Sequence, residues 1–243
     1  MLKLGSTRDF PEVFAARKLH AVLTDDELGE YPQITGFHGQ RDWLLRRLIL
    51  KDLSSAYLGA HHKRYFPPNA LEVRDAAQGF DVFALLVSRD APVLTARCVT
   101  DGEVGVGFVA PDLGSARFGL KIRRIVRTYP FLLDARLSEQ EEDLLREQSE
   151  SELDVAATLL VTAKRLAAEL VPEVRDPGAF QVRHVDGDDR VHFDRDRLAL
   201  PAPLDGMLFQ TWHWDDYVIV AGVLFDVARC DEGFDPFGLF AWV

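Results

Sequence analysis

Two long apolar stripes at helical spacing, each followed by a series of short alternating segments, restrict this chain to few architectures. Over residues 41–58, Leu45, Leu48, Ile49, Leu53, Ala56 and Tyr57 recur three and four apart, with charges mostly between them. That spacing marks a helix with one face turned to a core. Over residues 151–171, Leu153, Ala156, Leu160, Ala163, Leu166, Ala167 and Leu170 repeat the pattern. A capping-box sequence precedes each stripe, Thr24-Asp-Asp-Glu27 and Ser138-Glu-Gln-Glu141. Its hydroxyl and carboxylate satisfy free backbone N–H groups, so a short helix is expected to start at each, the second running through Arg146.

Strands are expected after each stripe. In the first half they fall at 71–73, 80–88, 92–98 and 103–109, with a turn at Asp101-Gly102. Residues 61–69, with Pro67-Pro68, read as a loop. In the second half, 118–126 alternates like a strand. Residues 180–185 and 190–193 read as one hairpin, and 207–214 and 217–225 as another. Pro172 and Asp176-Pro-Gly178 end the second long helix. Helix then strands, twice over, is an α+β order. The loop at 111–115 is the best boundary, giving an N-terminal lobe over 1–115 and a C-terminal lobe over 116–243. The tail, 231–243, is rich in Gly, Pro and aromatics and is expected to pack back onto the body.

Composition narrows the function classes. Of 243 residues, 47% are apolar and 28% charged, enough for a buried core and against disorder. No apolar run suits a membrane-spanning helix, and Met1 to Phe10 lacks the apolar stretch of a secretory signal. A cytoplasmic chain with no membrane partner is expected. Cys98 and Cys230 can build neither a disulfide framework nor a four-cysteine zinc site, and read as buried ordinary thiols. A net charge of −11 argues against nucleic acid as partner.

The charge is uneven. Arg41, Arg46, Arg47, Lys51, Lys63 and Arg64, with His61 and His62 beside them, form one basic island. Arg117, Lys121, Arg123, Arg124 and Arg127 form another, with no acid among them. Such islands suit a phosphate or an acidic partner, or are faces balanced by acids nearby in space. Other motifs carry less. His61-His62 lacks further ligands at metal spacing. Gly105-Val-Gly107 has no helix after it for a dinucleotide site. Ser54-Ser55 lies mid-helix, and His184, His192, His213, Trp212 and Trp214 read as cover for sheet faces.

Arg41-Asp-Trp-Leu-Leu-Arg-Arg-Leu-Ile-Leu-Lys-Asp52 resembles the R-E-W-L-L-G-R-x-x-x-K-D helix of surfactin-type 4'-phosphopantetheinyl transferases. Further stations follow in order over about residues 20–225. Pro67 to Val73 is similar to P-x-x-I-x-V, and Val99 to Phe108 falls where the family has S-H-S-x-x-x-V-A-A-A. Gly119-Leu-Lys-Ile-Arg123 falls at G-I-D-I-E, and Leu137 to Leu145 at F-T-x-x-E-x-x-x-L. Val161-Thr-Ala-Lys-Arg165 with Glu169 falls at W-x-x-K-E-x-x-x-K, and Phe180-Gln-Val and Thr211 to Val220 resemble the closing strands. The resemblance implies two pseudo-symmetric α+β lobes, each a long helix on a small, three-stranded antiparallel sheet. It also implies transfer of phosphopantetheine from coenzyme A to a serine of an acyl or peptidyl carrier protein. In the family, magnesium is held by the carboxylates of G-I-D-I-E and W-x-x-K-E, and the histidine of S-H-S grips coenzyme A.

The departures fall on that metal site. Lys121, Arg123 and Arg165 stand at the three carboxylate stations, Thr100 at the histidine and Glu169 at the later lysine; Lys164 keeps its type. Magnesium takes anionic oxygens, and Lys or Arg offers none. Read this way, the chain is a pseudoenzyme, with a binding or scaffolding role in polyketide, fatty-acid or nonribosomal peptide synthesis and a carrier protein or synthase subunit as partner. Arg41, Thr100, Lys121, Arg123, Lys164 and Arg165 are its candidate coenzyme A contacts, since guanidinium pairs bidentately with phosphate. The basic helix over 41–51 and the island over 117–127 are its candidate docking surfaces for an acidic carrier. The alternatives are an active or metal-independent transferase, and a structural subunit joined through the aromatic tail, Phe234 to Trp242.

Overall fold

A computed structural model describes the chain except residues 15–17, 78, 89, 112, 126–136, 175–176, 195–197, 199, 201–203 and 231–234. The chain divides into two compact α+β units, Met1–Leu113 with Ala241–Val243, and Gly114–Phe240. The first runs β1 (Leu2–Ser6), α1 (Pro11–Phe14), α2 (Asp25–Glu30), α3 (Phe37–His62), β2 (Leu71–Ala76), β3 (Gly79–Ala84), β4 (Leu94–Asp101) and β5 (Val104–Ala110). The second runs β6 (Arg117–Arg124), α4 (Glu139–Arg146), α5 (Glu150–Leu170), β7 (Val182–Val185), β8 (Arg190–Phe193), β9 (Gly206–Trp214) and β10 (Tyr217–Phe225).

Both sheets are antiparallel and follow one scheme, β1-β5-β4-β3-β2 and β6-β10-β9-β8-β7. A leading strand comes first, then a short capped helix and a long helix. A four-strand meander follows, and its last strand returns to pair with the leading one. Each sheet has five strands, not the three that the resemblance implies. In the first unit the extra leading strand, β1, was not expected from the sequence. Its outer edge is covered by the C-terminal residues: Leu2 N donates to Ala241 O at 2.6 Å, and Val243 N to Leu2 O at 3.0 Å. An edge strand left bare would template pairing with other chains.

Each long helix lies on its sheet through the predicted stripe. Leu45, Ile49 and Leu53 of α3 pack with Val73, Val82, Leu94 and Val109. Leu160, Ala163, Leu166 and Leu170 of α5 pack with Val182, Phe209, Val218 and Val220. The approach is close enough to require glycine. A Cβ at Gly107 would lie 2.6 Å from Ile49, and one at Gly119 would lie 2.6 Å from Leu166. This is why the Gly105-Val-Gly107 stretch serves helix packing.

The capping boxes do more than start helices. Thr24 Oγ1 accepts from Glu27 N and Ser138 Oγ from Glu141 N, both at 3.3 Å. Each carboxylate returns a bond, from Thr24 N at 2.9 Å and from Ser138 N at 2.8 Å. The same carboxylates then reach into the core. Glu27 accepts from Lys51 Nζ of α3 and, at 3.1 Å, from Val73 N of β2. Glu141 accepts from Lys164 Nζ of α5 and from Val182 N of β7, both at 2.8 Å. Lys51 shares its remaining protons among the carbonyls of Leu71, Val22 and Pro68, at 2.6, 2.9 and 3.1 Å. All four groups are almost fully buried. Burial pushes the Lys51 ammonium below its ordinary range, and Glu27 beside it opposes the shift.

Removing one member of such a pair leaves the other charge buried without its counterion, at a cost of about 3–5 kcal/mol. Lys164→Met is therefore expected to lower the unfolding free energy by about 3 kcal/mol, against about 1 kcal/mol for the cap variant Ser138→Ala. Urea denaturation of the two variants beside the native chain checks the ranking; equal losses would refute it.

The thiols differ, contrary to the expectation that both are buried. Cys98 is buried under α3, while Cys230 is exposed. Burial pushes the Cys98 thiol up to about 12, so it holds no thiolate at neutral pH. A thiol reagent at about pH 8 is expected to titrate one cysteine in the native chain and both after denaturation.

Candidate functional site

The cations singled out in the sequence go to three kinds of place. Lys164 is 1% exposed and committed to Glu141, so its ammonium is unavailable to a ligand. Arg41 and Thr100 lie in the first unit, where the first half of α3 meets the β4–β5 turn. Arg41 lies 3.6 Å from Glu103, and Thr100 Oγ1 accepts from Arg46 Nε at 3.3 Å. The turn itself is set by Gly102, whose φ of 64° suits a two-residue hairpin.

Lys121, Arg123 and Arg165 belong to the seam between β6 and α5. Successive strand residues face opposite ways, so Arg117, Gly119, Lys121 and Arg123 share one face of β6. Gly119 abuts Leu166 and Leu170, which identifies that face as the one under α5. Arg117 donates to Leu170 O at 3.0 Å and forks onto Glu173 at 3.0 and 3.1 Å. Lys121 Nζ lies 2.7 Å from Glu169. Strand and helix therefore run antiparallel along the seam. Two residues of strand advance about 7 Å, and four residues of helix about 6 Å. Arg165, exposed, lies one helical turn before Glu169, on the same side of α5. Lys121 and Glu169 tie the strand to the helix, with Arg123 two residues further along the same face of β6 and Arg165 one turn earlier on α5.

Acids balance part of the second basic island: Glu173 for Arg117, Glu169 for Lys121, and Asp216 for Arg124 at 3.4 Å. Glu169 and Glu173 lie far from their partners in sequence, and only the antiparallel run of α5 over β6 brings them close. Arg127 lies outside the described residues. The first island does not form the docking face expected over 41–51. Arg47 and Lys51 are buried, Arg47 between Glu27, Glu30 and the Trp43 ring 3.7 Å away. Burial pulls the Arg47 guanidinium below its ordinary range, against the pull of Glu27.

The histidines take structural places. His61 donates from Nδ1 to Tyr57 O at 2.8 Å and stacks on that ring. Among the described residues no three His, Cys, Asp or Glu side chains gather as a metal-binding group. Of the aromatic tail, Phe240 is buried against Phe118 and Trp212, while Phe237 is exposed; Phe234 lies outside the described residues. A cavity of about 400 Å³, not foreseen from sequence, opens in the second unit between α4, α5 and Val185, with mostly aliphatic walls. Set against models of known protein families and against curated proteins, the sequence matches none.

His184 and His192 stack at 4.3 Å across the β7–β8 hairpin, and His192 Nε2 lies 2.8 Å from Asp186. That bond first, then the N–H groups of Arg190 and Asp188, pulls the Asp186 carboxyl down to about 2. A depressed carboxyl favours the fold above its ordinary range, and that contribution is lost as pH falls through about 2. In His192→Ala the Asp186 titration, followed by NMR, is expected to move up toward 3.8. An unchanged midpoint would refute the role of His192.

Proposed function

We propose that this chain is a phosphopantetheinyl transferase-like protein with a non-catalytic binding or scaffolding role in a carrier-protein-dependent pathway. On this reading it takes the diphosphate of coenzyme A on fixed cations. The observation that carries the reading is the Lys121–Glu169 tie between β6 and α5, with Arg123 on the same face of β6 and Arg165 one turn before Glu169 on α5. Those residues stand where the resembling family carries its metal carboxylates. The pair is charge-reversed as a unit, a lysine for the family's aspartate and a glutamate for its lysine. A reversed pair keeps the strand-to-helix tie while changing what the seam attracts. The repeated order of capped helix, long helix and strands supports the same reading.

Magnesium does not fit this set. Its hard oxygen ligands are missing at all three stations, and two unit charges of like sign at about 4 Å repel by about 4 kcal/mol at an effective dielectric near 20. Guanidinium groups suit a diphosphate directly, through paired N–H···O bonds.

Calorimetry of the full chain with coenzyme A in chelator is expected to show binding without a divalent metal. Arg165→Glu is expected to weaken it about tenfold or more, as is Lys121→Gln. Incubation with magnesium, coenzyme A and an apo carrier protein is expected to leave the carrier's mass unchanged. A phosphopantetheine addition would overturn the non-catalytic reading; absence of heat with coenzyme A would overturn the binding site.

A further inference from the structure

Of the α3 cations over 41–51, Arg47 and Lys51 are buried. Two exposed cations of that unit, Lys63 and Arg64, lie at the other end of the helix. His61, His62, Lys63, Arg64 and Tyr65 are all exposed, in a row, around the end of α3. Over residues 53–71 there is no Asp or Glu. Among the described residues no ion pair reaches Lys63 or Arg64; Arg64 lies instead over the Phe66 ring, 4.6 Å from its centre. In a chain of net charge −11, the end of α3 is locally positive, with Asp90 the acid of the β3–β4 turn.

Apolar side chains share that end. Tyr65 is 74% exposed, Leu86 63% and Val87 53%. Residues 65–70 lead from α3 into β2. Leu85 N donates to Ala70 O at 2.9 Å, so the β3–β4 turn that carries Leu86 and Val87 lies at the same end of the unit. The exposure of Tyr65 is not slack. Phe66 beside it is fully buried. Phe66 O accepts from Ser55 Oγ at 2.6 Å, and Pro68 O from Lys51 Nζ at 3.1 Å. A backbone pinned this closely presents an aromatic anchor with little ordering left to be lost on binding.

We infer that this end of the first unit is a docking surface for an acidic amphipathic helix of a protein partner. Carboxylates of the partner meet Lys63 and Arg64, and its apolar side covers Tyr65 and Leu86. Helix C-termini favour nearby cations, which accounts for positive charge there but not for the exposed Tyr65 and Leu86 at the same end of the unit. The chain's net negative charge disfavours nucleic acid as the occupant and favours a small acidic segment matched to this one end. The surface deepens the proposed function by locating an acidic partner, and it rests on that reading only for the partner's identity.

The test uses the full chain and a fluorescent acidic amphipathic helical peptide, its Glu→Gln counterpart and a single-stranded oligonucleotide, followed by anisotropy. The acidic peptide is expected to bind, and to weaken as salt is raised to about 0.5 M. Lys63→Glu with Arg64→Glu is expected to weaken it at least about tenfold, and Tyr65→Ala likewise, with thermal unfolding unchanged. Arg165→Glu is expected to leave it unaltered. No binding of the acidic peptide, binding indifferent to the charge reversal, or tighter binding of the oligonucleotide would overturn the inference. Coenzyme A calorimetry on the same Lys63 and Arg64 variant is expected to match the native chain, so loss of this surface and loss of the seam are read separately.

Discussion

One buried carboxylate per unit fastens three segments that are far apart in sequence. Glu27 joins the start of α2, the middle of α3 and the start of β2; Glu141 joins α4, α5 and β7 in the same way. In each, one oxygen takes the cap N–H and the lysine, and the other takes the strand N–H. Burying a carboxylate and an ammonium costs several kcal/mol each, offset only when their hydrogen-bonding positions are filled. The pair is stabilising only in one arrangement of helix, helix and strand. It therefore fixes how the long helix lies on the sheet, and with it the faces of β4 and β6 that the helix covers.

The two units use this device with different surroundings. Four residues before the lysine, α3 carries Arg47 and α5 carries Leu160. Leu160 joins the apolar core without further demand. Arg47 needs Glu30, Glu27 and the face of Trp43 around it. The first unit thus spends its short helix and the following turn on solvating a buried cation, while the second leaves its short helix beside an open aliphatic cavity. One architecture carries a polar joint in one unit and an apolar recess, lined in part by Leu160, in the other.

The sequence carried the long helices, the capping boxes and the closing hairpins because each has a local signal. Period 3.6, a hydroxyl three residues before a glutamate, and two-residue turns at Asp101 and Asp215 are all readable in a window of ten residues. What was lost lies in pairs distant in sequence. Lys51 falls on the same helical side as Leu44, Leu48 and Leu58, and so is on a core-facing stripe; reading it as part of a basic surface ignored that phase. Its partner lies 24 residues earlier, and that of Lys164 lies 23 earlier. A capping-box glutamate followed at nearly equal distance by a lysine on an apolar stripe, twice in one chain, was the available signal. The leading strand β1 has none: Leu2–Ser6 is short, and only its pairing with β5 makes it a strand.

The seam between β6 and α5 shows why binding and chemistry separate in the proposed reading. Guanidinium groups stay charged at any physiological pH and are held by the strand and helix that carry them. On the proposed reading they hold the diphosphate as a whole and not the charge that grows on its leaving oxygen. An interaction of equal strength in ground and transition state lowers the free energy of both and leaves the barrier between them unchanged. Phosphoryl transfer needs charge placed where it grows, on the bridging oxygen of the leaving group, which a metal between phosphates supplies. Cations on the α5-facing side of a strand, one of them already shared with Glu169, supply attraction without that focus. On the proposed reading, a seam of this composition binds a nucleotide-like anion without accelerating its transfer.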